Sequence, residues 1–214
     1  MMTLQEFETG LYHRLYDFFG DHEFEMMAGL KQFRRLTPHG FQNVIFSPTA
    51  YEDELWLDLN IGLRYSPVED LAQQFLDNLP QYRHESNTLI ISVGKFHKNK
   101  YFRYKVANEE DLKLCCEQIR DFLKYTGFGF LQKYNALPQL DKLINHKPAR
   151  PCPYMYNQVH RCFKGLIAAR LNDSRAFMDL AETYRKYLKV SAAKPGMRNS
   201  FEKLSQYLLH YSSN

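Results

Sequence analysis

The sequence predicts an α+β fold: an antiparallel sheet of about five strands backed by helices, with an all-helical C-terminal subdomain. Three observations carry this. Residues 55–65, LWLDLNIGLRY, alternate apolar and polar side chains, the period of a strand with one buried face. The strand-like segments are joined by short links, which favours antiparallel pairing. Beyond a proline-rich stretch at 147–155, apolar residues recur only at helical spacings. The expected division is a sheet domain at 1–146, a connector at 147–155 and a helical subdomain at 156–214.

Taken in order, residues 3–19 open the chain as a helix. Thr3 and Glu6 form a capping box that satisfies free N–H groups, and Leu4, Phe7, Leu11, Leu15 and Phe18 make one apolar face. KQFRRL is a short basic strand, and GFQNVIFS follows the turn signal Pro38-His39-Gly40. PTAYEDE closes a hairpin onto ELWLDLNIGLRY, the clearest strand of the chain. Ser66-Pro67-Val68-Glu69 announces a helix with Ser66 as cap, Pro67 in the first turn and a buried stripe reaching from Val68 to Leu79. NTLIISVG and YFRYKV are two further strands joined by KFHKNK.

Asn108, with acids at 109–111 facing the positive end of the helix dipole, starts a helix expected to stop near Gly127, with GFGF as a turn. Two short helices follow over FGFLQKYNAL and LPQLDKLINH. NHKPARPCPY holds three prolines, which excludes a regular helix or a central strand. Helices are expected at 156–171, 174–189 and 199–212, the last capped by Asn199 and Glu202. In the first of these, small residues Gly165 and Ala169 permit close packing within the monomer, the favoured reading, while Arg161, Lys164 and Arg170 are read as exposed and as the alternative border of an acidic partner.

A chain of 214 residues with 44% apolar content can bury a core. Its 28 basic and 24 acidic residues leave a net charge of +4, too mild for a protein built around a phosphate backbone. No apolar run reaches membrane-span length, and the start MMTLQEFETG has no signal-peptide pattern. The cysteines at 115, 116, 152 and 162 suggest no disulfide framework, so a reducing cytoplasm is the expected setting.

The stretch FRRLTPHGFQNVIFSPTAYEDELWLDLNIGLRYSPVE resembles uncharacterised bacterial proteins of the domain-of-unknown-function kind, with an N-terminal helix, an aromatic-Arg strand, a GFQ strand and a long strand ending in N-x-G-x-R. The resemblance covers roughly residues 10–75. It implies the fold and an immunity or defence role, and it brings no catalytic set.

Three constellations merit attention. On strand 55–65, Trp56, Asp58, Asn60 and Arg64 share the polar face. A solvated or structural face is the stronger reading; as a ligand or partner site, Arg64 would clamp an anion and Trp56 would form a wall, with Asp58 holding Arg64 or Arg103. In residues 95–105, Lys95, Lys98, Lys100, Arg103 and Lys105 interleave with aromatics, as in single-strand nucleic-acid binders. A lysine-rich hairpin that blocks edge pairing is favoured there. His146, Cys152, His160 and Cys162 match no familiar zinc spacing, so no metal is expected. Nucleophile-elbow, Walker, dinucleotide and HExxH motifs are missing, and no cofactor is expected. The sequence therefore favours a cytoplasmic binding protein without catalysis, with a protein as the expected partner. Its rivals are an enzyme whose site is assembled from remote residues and a nucleic-acid binder using 95–105.

Overall fold

The computed structural model describes residues 2–99, 101–191 and 193–211. Its elements are helix α1 (Leu4–Gly20), strands β1 (Glu25–Met27), β2 (Gln32–Thr37), β3 (Gly40–Ala50) and β4 (Leu55–Tyr65), helix α2 (Ser66–Ala72), β5 (Leu89–Ser92), the short helix α3 (Val93–Phe96), β6 (Tyr104–Val106), and then helices α4 (Glu109–Phe122), α5 (Phe128–Tyr134), α6 (Leu137–Asn145), α7 (Gln158–Leu171), α8 (Phe177–Val190) and α9 (Pro195–His210). The fold is the expected α+β arrangement: an N-terminal helix, an antiparallel sheet in the order β1-β2-β3-β4-β5 with β6 also on β4, and a mostly helical C-terminal region. Among the described residues no helix is long and apolar enough to cross a membrane.

The chain forms two compact units, residues 1–63 with 90–132, and residues 64–89 with 133–214. In the first, the Thr3–Glu6 capping box starts α1 as the sequence predicts, and Phe7, Leu11, Leu15 and Phe19 are fully buried. Phe19 stacks on Phe33 of β2 with ring centres 4.0 Å apart. β2 and β3 pair from Gln32↔Ile45 to Thr37↔Gly40. The tight link Pro38-His39 is closed by Gly40 at φ 144°, a conformation that requires glycine. On β4 the six apolar side chains from Leu55 to Tyr65 are all buried. At about 1.5–3 kcal/mol for each large side chain removed from water, that face anchors the strand.

The second unit is built around α7. Residues 161–169 of this helix are all buried, so it is surrounded rather than amphipathic. This corrects the expectation that Arg161 and Lys164 are exposed: they are 1% and 6% exposed. Gly165 serves the close packing anticipated for it. A β-carbon there would lie 2.5 Å from Asn145 Oδ1 and 2.9 Å from Ile144 of α6. Around α7 pack Leu140 and Ile144 of α6, Leu180 and Tyr184 of α8, Phe201 and Leu204 of α9, and Val68 of α2, all buried.

Other local expectations are revised. Ser66 is the first residue of α2 rather than its cap; its hydroxyl accepts from Arg64 Nε at 3.3 Å, and Glu69 pairs with Lys164 instead of closing a box. The helix ends at Ala72, which leaves Leu79 exposed. β5 stops at Ser92, whose hydroxyl caps α3, so 89–106 is not a hairpin. β5 and β6 instead both pair with β4, with β6 along Leu55–Leu57. GFGF is not a turn. The helix passes from α4 into α5 through one π-helical turn, Leu123–Gly127. A β-carbon on Gly127 would press within 3.0 Å of Leu123 and 3.1 Å of the Phe122 ring, so glycine suits the widened turn. α9 begins at Pro195, not Asn199, and Glu202 binds Arg185 Nε at 2.9 Å rather than capping.

Candidate functional site

The four polar residues of β4 do not form one site. Trp56 belongs to a surface cluster with its neighbours in sequence and on β6. Its indole N–H donates to Glu54 at 2.6 Å, and the Tyr51 ring lies 4.4 Å from its own. Lys105 sits 4.6 Å from the Trp56 ring centre and 2.9 Å from Glu54. Arg103 Nε donates to Asp58 at 2.8 Å, the cross-strand contact anticipated for Asp58. The hydrogen bonds from Lys105 and Trp56 hold the Glu54 carboxyl below its usual range, and the bond to Asp58 raises Arg103. Two acids thus neutralise two bases within the cluster. Asn60, the next residue on this face, is half-buried.

Arg64 lies in the second unit and is 3% exposed. Its guanidinium donates to the carbonyls of Arg83 and Ser86, each at 2.8 Å, to the Ser66 hydroxyl, and to Asp70 at 2.5 Å. Every nitrogen has a protein acceptor. These contacts tie the segment after α2 back to the end of β4.

The basic segment 95–105 is also divided. Lys95 is on α3, and Lys98 is exposed in the left-handed region at φ 54°. Arg103 and Lys105 face the acids above, and Lys100 lies outside the described residues. All four cysteines are free and buried. Burial pushes the Cys162 thiol up to about 12, and its sulfur donates to the Gln158 carbonyl. Burial, then the nearby Lys164, lowers His160. Among the described residues no group of three or more His, Cys, Asp and Glu is placed to hold a metal ion.

A cleft of about 470 Å³ opens within the second unit, between the end of α5, one face of α6 and the proline-rich segment that follows. Its construction starts from two side chains on α7, the buried Arg161 and the half-buried Gln158. Arg161 reaches out of the helix to the carbonyls that end α6 and continue past it. Nε and Nη2 bond to the Ile144 carbonyl at 3.1 and 2.9 Å, Nη2 to the Lys147 carbonyl at 3.1 Å, and Nη1 to that of Arg150. Arg161 makes no ion pair with a described residue; its charge meets the negative end of α6. One turn earlier, Gln158 accepts from the Cys152 N–H at 2.8 Å and donates to the carbonyls of Cys152 and Met155. Asn157 caps α7 by accepting from His160 N–H at 3.0 Å. The prolines at 148, 151 and 153 lack N–H groups, so the segment cannot continue as helix. Two backbone bonds, Arg150 N–H to Lys147 and Met155 N–H to Cys152, turn the segment, and the two α7 side chains tether it.

This tethered segment presents His146, Lys147 and Arg150 to the cleft, α6 adds Lys142, and Lys133 comes from α5. Among the described residues no carboxylate lines it, and Lys142, Lys147 and Arg150 make no ion pair with any of them. Tyr134 and Tyr154, both half-buried, supply aromatic surface beside Pro151 and Pro153. The cleft therefore offers concentrated positive charge next to aromatic and proline side chains, where the β4 cluster offers balanced charge. Of the residues singled out in the sequence, only His146 and Cys152 line it. The signal that marks the rest is an acid desert: no Asp or Glu lies between Asp141 and Asp173. No protein-family model matches the chain, and no curated protein or solved structure shows a significant match to it.

Proposed function

We propose that this chain is a binding protein without catalysis, and that it captures an anionic ligand in the cleft between α5, α6 and the segment 146–154. The carrying observation is the convergence of Lys133, Lys142, Lys147 and Arg150 on a cleft with no lining carboxylate. Like charges placed together repel and destabilise a fold, so a cluster without internal compensation is accounted for by a ligand of opposite charge. The volume suits a small molecule. Four free cysteines support a reducing, cytoplasmic setting. The immunity or defence role rests on the family resemblance alone.

The test is a thermal-shift assay of the whole chain with three anionic probes: inorganic tripolyphosphate, citrate and a hexaglutamate peptide. At least one should raise the melting temperature of the parent protein. It should leave Lys142→Gln/Lys147→Gln/Arg150→Gln unmoved, since these exposed side chains hold no part of the core. Equal shifts in both proteins, or none in the parent, would refute the proposal.

A further inference from the structure

The cleft carries information about its ligand beyond the sign of its charge. Lys133, Lys142, Lys147 and Arg150 bring four formal positive charges to about 470 Å³ with no lining acid. A ligand with one carboxylate would leave most of that charge uncompensated. A phosphate group carries roughly −1.5 to −2 at neutral pH and three acceptor oxygens, so two or three linked phosphates match the cluster in a compact volume. The donors are of the corresponding types. Arg150 has the planar fork suited to two phosphate oxygens, and the lysines act as mobile point charges. The backbone of Arg150 is fixed through its carbonyl by buried Arg161, so its side chain springs from a held position. The cleft has a second character. Tyr154, with Pro151 and Pro153, adds aromatic and apolar lining, against which a planar ring can stack. A bare polyphosphate would leave this lining uncovered.

We infer that the cleft takes a nucleoside polyphosphate, with its phosphates among Lys142, Lys147 and Arg150 and its base against Tyr154. The inference rests on the reading of the cleft as an anion site and adds the class of ligand. Both ends of the ligand contribute. Removing the phosphates abolishes capture, and removing the base weakens it to the level of polyphosphate alone.

Isothermal titration calorimetry on the full chain, in metal-free buffer, tests this with adenosine triphosphate, guanosine triphosphate, inorganic tripolyphosphate and adenosine, and with citrate and hexaglutamate as other anions. At least one nucleoside triphosphate should bind roughly tenfold or more tighter than tripolyphosphate, the contribution expected of one stacked base. Adenosine should not bind measurably. Tyr154→Ala should remove the nucleoside's advantage while leaving tripolyphosphate binding unchanged, and Tyr154→Phe should retain it. Arg150→Gln should weaken nucleotide and tripolyphosphate alike, by roughly tenfold or more. Equal affinities for tripolyphosphate and both nucleotides, or an advantage that survives Tyr154→Ala, would overturn the inference. Tighter binding of citrate or hexaglutamate than of any phosphate, lost in Lys142→Gln/Lys147→Gln/Arg150→Gln, would overturn it and leave the anion-site reading standing. Failure of every anion to bind would overturn both.

Discussion

Replacing Arg161 by Met tests how the cleft is built. The parent side chain is 1% exposed and donates to three carbonyls, those of Ile144, Lys147 and Arg150. Methionine fills much of the same volume and donates to none of them. The Lys147 carbonyl keeps the Arg150 N–H at 3.0 Å, whereas those of Ile144 and Arg150 are left without a donor at about 1–2 kcal/mol each, so about 2–4 kcal/mol is lost. Relief from burying a guanidinium without a carboxylate offsets part of this, and a net loss of about 1–3 kcal/mol is expected. A domain with ordinary stability of about 5–15 kcal/mol survives that. Urea unfolding measures the loss, and hydrogen exchange should show faster opening of amides in 146–154 than in the rest of the second unit. Arg161→Lys keeps the charge, but one ammonium cannot span carbonyls held by a fork, so it should recover only part of the loss. A loss below about 0.5 kcal/mol, or complete recovery by lysine, would refute the claim that this one guanidinium holds the segment.

Three further outcomes follow from buried polar contacts. Lys164 Nζ lies 2.6 Å from Glu69, which is fully buried, so Lys164→Met should cost about 3–5 kcal/mol in urea unfolding, while Lys164→Met/Glu69→Leu should recover about half of that, the Asn87 carbonyl and the Gln73 amide still lacking their partners; equal losses in the two variants would contradict the pairing. Arg64→Ala removes donors from two carbonyls and should lower stability by about 2–4 kcal/mol, whereas an unchanged melting temperature would make Arg64 a free surface group. Burial, and then Lys164, depresses His160 below its ordinary 6.5, with Glu69 and Asp77 opposing, so its neutral form is favoured in the folded state. The unfolded chain binds the proton more readily, so stability should be level above about pH 6.5 and decline as pH falls below it, and His160→Gln should flatten that decline in pH-dependent melts.

Much of this architecture is legible where one local force dominates. The period-two alternation of β4 meets a single buried face, and the Thr3–Glu6 box closes as its spacing dictates. Legibility fails where tertiary packing overrides local preference. Ser66-Pro67-Val68-Glu69 has the form of a capping box, yet Glu69 is drawn away by Lys164 from a distant helix. Glycine at 127 signals a helix end, yet the helix widens by a π turn and continues. Arg161 and Lys164 read as solvent-exposed because cations are rarely buried; here each is compensated by groups remote in sequence, three carbonyls for one and a carboxylate for the other. The same remoteness hid the cleft. Its cations come from two helices and an irregular segment, and periodicity does not register charges that converge without sharing a face. The polar face of β4 drew attention because its spacing is regular. Trp56 and Asp58 instead join a self-neutralised surface cluster, and Arg64 is a buried tether.

The central claim is that the anion site is the α5–α6 cleft rather than the β4 face or the 95–105 segment. Amide NMR of the labelled full chain, titrated with inorganic tripolyphosphate, tests it most directly. The account predicts saturable shifts concentrated in residues 142–154, with those at 54–58 and 95–105 unmoved. Shifts centred on 95–105 or 54–58, or scattered in proportion to surface lysines without saturation, would contradict it.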